Sequence, residues 1–365
     1  MTGSGVRPPR LRADLGIVDV DVHAPAPSID DLAPWLGDHW LEVARVTQFR
    51  GPTDTAYPPS AETSVHPAIV AAGGPARTAE ELAARVLDPW DTQRAVLSCA
   101  YSSEAVKNPD AAGVLSRGVN AWIQREWLDR EARLAGSIVV PGLDPAEAAR
   151  VVDEAAEDPR FVQVLLPVRS FAPYGNRLWL PLLDAIARHG LVLALQFGGA
   201  PGHPTTSVGW PSTYFEEYVD MPSAFQAQLM SIVTEGVFDR HPGLRVLCLE
   251  SGFGWMPAFM WRFDRLWRGL RREIPWTRRP PSTYLRDHVR LSLQPFDAPR
   301  DPDGFARIVD QIGSERMLCF ATDYPHWQAE DADAAVPPVA DGPLLGAIMG
   351  GNALDLLREA REGAA

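Results

Sequence analysis

Short runs of aliphatic and β-branched residues recur along the chain, separated by longer stretches in which apolar positions return every three or four residues. The short runs fall at residues 17–22, 95–99, 136–140, 162–166, 192–197, 245–249, 289–293 and 317–321. Each has the length and the aliphatic, β-branched character of a strand. Helix signals lie between them. Thr78 with Glu81 and Asp144 with Glu147 have capping-box spacing, Pro145 follows Asp144 at a first helical position, and residues 178–188 and 225–238 carry helical apolar periodicity. Strand and helix alternating over the whole length predict an α/β fold. No Gly-x-Gly-x-x-Gly follows any of the eight runs, which disfavours a doubly wound dinucleotide-binding sheet and leaves a closed (β/α)8 TIM-type barrel. Residues 1–15 read as a polar tail and residues 16–365 as one barrel domain. Residues 24–90 after strand 1 and 198–222 after strand 5 are too long to be simple connections. Both emerge at the C-terminal face, where loops wall a pocket.

Composition narrows the partners more than the fold. The 365 residues, 46% hydrophobic and 22% charged, exceed the roughly 250 of a typical barrel by enough to hold the long loops. A net charge of -13 leaves no basic surface to release counterions, so neither nucleic acid nor an anionic membrane is an expected partner. Cys99, Cys248 and Cys319 each sit in an apolar run and read as buried, inert thiols. No apolar stretch approaches the ~20 residues of a membrane span and no signal peptide opens the chain, which reads as cytoplasmic.

The first run carries chemistry. In Val18-Asp19-Val20-Asp21-Val22-His23, Asp21 and His23 are two residues apart and leave a strand on the same side. A carboxylate and an imidazole so placed make a half-site for a divalent metal, or a satisfied structural pair. The last run ends in Thr322-Asp323-Tyr324-Pro325-His326-Trp327. Closure of a barrel brings strand 8 beside strand 1, so Asp323 converges with Asp21 and His23 unless it serves only as a helix cap.

The Asp19–His23 segment, Glu250-Ser251-Gly252-Phe253-Gly254-Trp255-Met256-Pro257, the Thr322–His326 segment and Gly351-Asn352-Ala353 together resemble the amidohydrolase-related superfamily, in the branch of aminocarboxymuconate semialdehyde decarboxylase. The resemblance runs from about residue 17 to residue 357. It implies a barrel enzyme, a homodimer, and a mononuclear zinc or manganese site of which Asp21, His23 and Asp323 supply ligands. Two positions depart from the branch's pattern. Gln196 stands where a histidine ligand ends strand 5, and a neutral amide is a poor zinc ligand. Glu250 stands where a histidine ends strand 6, and it can act as general base or as a further ligand. Two readings stay open: a weakened divalent-metal site of Asp21, His23, Asp323 and Glu250, or a metal-free site in which the same groups do acid–base work.

By either reading Asp323, Glu250 and His23 are the catalytic candidates, and Gln196, Arg169, Gln294, His326 and Trp327 the substrate-binding ones. Arg169 can make bidentate hydrogen bonds to a substrate carboxylate. Trp35, Trp40, Trp90, Trp210 and Trp327 fall in the mouth loops, as a site for an aromatic or largely apolar small molecule requires. The reaction expected is nonoxidative decarboxylation or a related C–C cleavage of a small organic acid. The alternatives are hydrolysis of a lactone, amide or ester, and a metal-free cyclase, dehydratase or noncatalytic barrel, since a fold alone does not separate them.

Overall fold

The computed structural model describes residues 16–52, 65–199, 204–327, 335–340 and 342–364. The eight apolar runs become β1 (Val18–His23), β2 (Arg94–Ser98), β3 (Leu134–Val139), β4 (Phe161–Pro167), β5 (Val192–Gln196), β6 (Arg245–Cys248), β7 (Val289–Ser292) and β8 (Leu318–Cys319). All neighbours in the order β1 to β8 pair in parallel. The predicted (β/α)8 barrel is therefore the fold, with each strand within a few residues of its sequence run. The predicted tail, residues 1–15, lies outside the described residues.

Closure between β8 and β1 is not a regular ladder. β8 has two residues, and the chain beyond it continues alongside β1 through backbone bonds from Val20 N–H to the Phe320 carbonyl (3.1 Å), from Asp323 N–H to the Asp21 carbonyl (3.1 Å) and from His23 N–H to the Tyr324 carbonyl (2.8 Å). The carboxylate of Asp19 ties the same seam. One oxygen accepts from the backbone N–H groups of Asp21 and Thr322, both at 3.1 Å, and the other accepts from the Thr322 hydroxyl at 2.6 Å. Burial pushes the Asp19 carboxyl up to about 7, against the pull of these three bonds. The pairing of β1 with β2 shifts register between Asp19 and Val22, so the alternation read from the sequence is interrupted just below the site residues.

The opposite end of the barrel is stopped by the C-terminal helix Asn352–Glu362, whose Ala353, Leu356 and Ala360 pack with Val18, Val20, Val192, Ala194 and Cys319. Its Glu359 accepts from Arg245 at the start of β6 (3.1 Å), fixing the helix beneath the strands. The long connection after β1 holds the helix Ile29–Thr47, capped reciprocally by Ser28 and Asp31. After β5 comes Tyr214–Thr234, capped reciprocally by Thr213 and Glu216. This helix begins well before the apolar periodicity at residue 225, because its first turns lean polar groups and aromatics over the barrel mouth rather than an apolar stripe onto a strand. Thr78 caps as expected, but Glu81 returns its bond to the Arg77 N–H, so only half of that capping box forms.

Asp19→Ala is expected to cost about 2–4 kcal/mol, because it strands buried donors on both sides of the seam. Asp19→Asn keeps an acceptor and a partner for the Thr322 hydroxyl and should cost no more than about 1 kcal/mol. Urea titrations of the two variants check this, and equal losses would show that volume rather than hydrogen bonding matters at position 19.

Candidate functional site

Four of the eight strands carry the site's groups at the C-terminal face. His23 closes β1 and Gln196 closes β5, while Glu250 lies two residues past β6 and Asp323 four past β8. Glu250 and Asp323 both have left-handed backbone, φ 57° and 55°, an uncommon choice for a residue with a side chain. The reversal turns each carboxylate back over the barrel mouth instead of letting it run on with the strand. Ser292 supports Glu250 from β7, its hydroxyl accepting from the Glu250 N–H (3.0 Å) and donating to the Gln294 carbonyl (2.9 Å).

The groups converge on His23. Its Nε2 lies 3.1 Å from Asp21 Oδ1, 3.3 Å from Asp323 Oδ1 and 3.8 Å from Glu250 Oε1. His326 places Nδ1 2.8 Å from Asp323 Oδ1, with its ring centroid 4.3 Å from that of His23. Gln196 donates to Glu250 Oε1 at 2.8 Å and holds the same nitrogen 3.3 Å from His23 Nδ1. One ligand atom from each of His23, Glu250, Asp323 and His326 lies within 4.8 Å of the other three. Asp21 stands beside His23 without joining that quartet, and His326, expected only to touch substrate, is part of it.

Two carboxylates and two imidazoles so crowded do not all keep their ordinary protonation. Burial, and after it the Asp323 charge, pushes the Glu250 carboxyl up to about 8. Burial would raise Asp323 as well, but His326 and the hydrogen bond from His23 hold it below the usual carboxylate range. Burial opposes the charged form of His23, yet the Asp21 carboxylate beside it keeps the imidazole well above its normal value. The cluster thus sets Glu250, whose burial favours the protonated form, next to Asp323, whose imidazole neighbours favour the carboxylate. The donor set also fits a divalent ion. Imidazole and carboxylate together suit zinc or manganese, and the buried Asp323 Oδ2 and Asp21 Oδ2 have no hydrogen-bond partner among the described residues.

Above the cluster opens a cavity of about 600 Å³ lined by His23, Gln196, Glu250 and His326 at its base and by Tyr101, Phe197, Tyr214 and Trp327 on its sides. Of the tryptophans expected at the mouth, Trp327 alone lines it. Trp90 is buried against Phe320, and Trp210 is exposed. Arg169 does not line the cavity. It is buried, with Nη1 2.6 Å from Glu217 Oε1 and Nε donating to the Thr205 carbonyl, so its guanidinium is committed to holding the helix Tyr214–Thr234 against the end of β4. Gln294 is also buried beneath the surface and does not reach the cavity. The guanidinium that does line it, among the described residues, is Arg50. No sequence signal distinguished this arginine, which follows a helix in the middle of a long connection.

The amidohydrolase family model matches residues 18–358. A γ-resorcylate decarboxylase of Rhodococcus jostii is 25% identical over 284 residues, 73% of this chain and 84% of that protein. Among solved structures, an amidohydrolase from Mycobacterium avium subsp. paratuberculosis superposes with a TM-score of 0.69 at 17% identity, covering 94% of this chain and 99% of that one. A dihydroxybenzoic acid decarboxylase from a Polaromonas species, solved with bound manganese and the inhibitor 2-nitroresorcinol, gives 0.64 at 17% identity, covering 94% and 97%.

Gln196→His puts an imidazole where the amide now touches both His23 and Glu250. Calorimetric titration with manganese or zinc should show affinity raised at least tenfold, about 1.4 kcal/mol. Unchanged affinity would place residue 196 outside the reach of a bound ion.

Proposed function

The chain belongs to the amidohydrolase family, and from that premise we propose that it is a nonoxidative decarboxylase of a small aromatic carboxylate with a hydroxyl beside the carboxyl group. The observation that carries this reading is the placement of the buried Glu250 carboxyl beside Asp323, His23 and His326 at the base of an aromatic-walled cavity. The relatives' aromatic-acid chemistry supports it, and so does the cavity's mixture of ring faces and a guanidinium.

In the reaction proposed, Phe197, Tyr214 and Trp327 flank the ring and Glu250 faces the carbon that bears the carboxylate. Electron density from the ring hydroxyl, ionised or hydrogen-bonded, reaches that carbon, which takes the Glu250 proton and becomes tetrahedral. The bond to the carboxylate then breaks, its electron pair returns to the ring, and carbon dioxide leaves. Glu250, now a carboxylate held by Gln196, recovers a proton from water. His23, Asp323 and His326, with Asp21 beside His23, would hold a divalent ion, which when bound supplies positive charge to the substrate's oxygens.

Carbon dioxide release from hydroxybenzoates is the test. In heavy water the product should carry one deuterium at the vacated carbon. Glu250→Gln should lower kcat at least about a hundredfold with little effect on substrate binding, the scale of a lost general acid. Asp323→Asn should lower turnover more than tenfold without unfolding the barrel. Hydrolysis of lactones, esters or amides with no release of carbon dioxide from any aromatic acid would overturn the reading.

A further inference from the structure

Two neighbouring helices turn apolar side chains outward. The helix Tyr214–Thr234 follows β5 and the helix Met256–Leu270 follows β6, so the two are neighbours on the outside of the barrel. The first exposes Phe215, Val219 and Met230, whose spacing sets them on one outward row, and the second exposes Trp261, Leu266 and Leu270. Phe215 is 77% exposed and Trp261 56%. Of the fifteen large apolar side chains exposed among the described residues, nine fall between Val208 and Trp276. A surface that meets only water does not favour such a concentration. Each helix already has an inward row packed in the core, Phe225, Leu229 and Ile232 in one and Phe259, Met260 and Phe263 in the other. The outward rows are therefore a second apolar face on each helix, beyond what the barrel requires.

The charges beside these two faces are opposite. No basic residue falls between Tyr214 and Thr234, and Glu216 and Asp220 lie beside Val219. The other helix and the turn after it carry Arg262, Arg265, Arg268, Arg271 and Arg272, all exposed. None of the five has a carboxylate partner among the described residues. Arginines on helices elsewhere differ, since Arg45, Arg117, Arg150 and Arg188 each lie within 2.6 Å of a carboxylate oxygen. In a chain of net charge -13, five unpaired cations along an apolar ridge form a local excess that a partner with carboxylates offsets.

We propose that a second copy of this chain covers both faces. The acidic helix Tyr214–Thr234 of one protomer lies on the basic helix Met256–Leu270 of its partner, and the reverse contact forms across the same two-fold axis. Such an axis makes each contact twice and closes the assembly at two chains. Acidic face on basic face buries both apolar rows without setting like charges together. Anionic lipid or nucleic acid would meet the arginines but leave the Phe215 row, with two carboxylates beside it, uncovered. Tyr214 lines the catalytic cavity and Glu217 is held by Arg169, so the wall of the mouth and the contact between protomers share the same turns of helix. A partner seated on Phe215 and Val219 braces that wall from outside. The pairing holds whatever acid the site consumes, and its test reads mass rather than turnover.

Sedimentation velocity of the wild type at micromolar concentration should show a species of twice the chain mass. Val219→Lys with Asp220→Lys makes the first face basic, and Arg265→Glu with Arg268→Glu makes the second acidic. None of these four side chains is buried. Each double variant alone should dimerise at least tenfold more weakly, because both of its contacts then oppose like charges. An equal mixture of the two should restore a dimer holding one chain of each, with circular dichroism and Tm reporting the fold. Phe215→Ser with Trp261→Ser, which trims only exposed rings, should dissociate the dimer and serves in place of a charge reversal that fails to fold. A monomeric wild type overturns the proposal, and one that also sediments with vesicles of phosphatidylcholine and phosphatidylglycerol assigns the basic face to lipid. Variants that dimerise as well as the wild type overturn it by placing the contact elsewhere. Variants that dissociate but do not recombine overturn the reciprocal arrangement.

Discussion

The contact on which the site depends is the one Asp19 makes across the seam between the last strand and the first. β8 is only two residues long, so its pairing with β7 is short and its seam with β1 is carried by separate backbone bonds from the chain beyond it. Asp19 supplies what the ladder lacks, with three acceptor contacts that bind the backbone of β1 to the backbone and side chain of Thr322. His23 stands on one side of that seam and Asp323 and His326 on the other. Since side chains alternate along a strand, a slip of one residue here would turn the imidazole of His23 away from both. The 3.3 Å approach of His23 to Asp323 is therefore a property of the seam before it is a property of the site.

Above the seam the arrangement is a division of charge. Glu250 and Asp323 are both buried, and two neighbouring carboxylates do not readily ionise together. The imidazoles settle which one does: His326 bonds directly to Asp323, whereas Glu250 takes its short contact from the neutral amide of Gln196. An imidazole at 196 would add to those of His23 and His326 near Glu250 and draw its proton away. The amide instead orients the acid without competing for its proton. The residue that looked like a lost ligand in the sequence thus has a consistent role in an acid that must stay loaded.

Much of this was legible from residues alone, for a physical reason. Strands buried on both faces leave uninterrupted apolar runs, and polar groups that end such runs stand out against them. His23 and Asp323 stand out in this way, whereas Gln196 and Glu250 are marked by departing from the pattern of the family that the chain resembles. Groups carried by the long connections lack that contrast. Arg50 sits in an exposed stretch like any surface arginine. Arg169 misled because its partner, Glu217, is 48 residues away, and nothing local marks a guanidinium that is neutralised from a distant helix. Trp327 was separable from the other mouth tryptophans only by its place three residues beyond Tyr324, where the chain still follows the strand edge.

The left-handed backbone at Glu250 and Asp323 bears on how this chain can diverge. Glycine, asparagine and aspartate accept such φ values at little cost, while β-branched side chains are strained there by about 1–3 kcal/mol. Drift at these two points is therefore channelled by the backbone before selection on chemistry acts. A descendant can trade carboxylate for amide or lose the side chain, but valine, isoleucine or threonine would disturb the turn that aims the group. Among the described residues of the connections after β1 and β5, such φ values fall at scattered positions, most of them already glycine. New specificities in this lineage should accumulate in those walls, around a centre whose repertoire is held small by the turns that carry it.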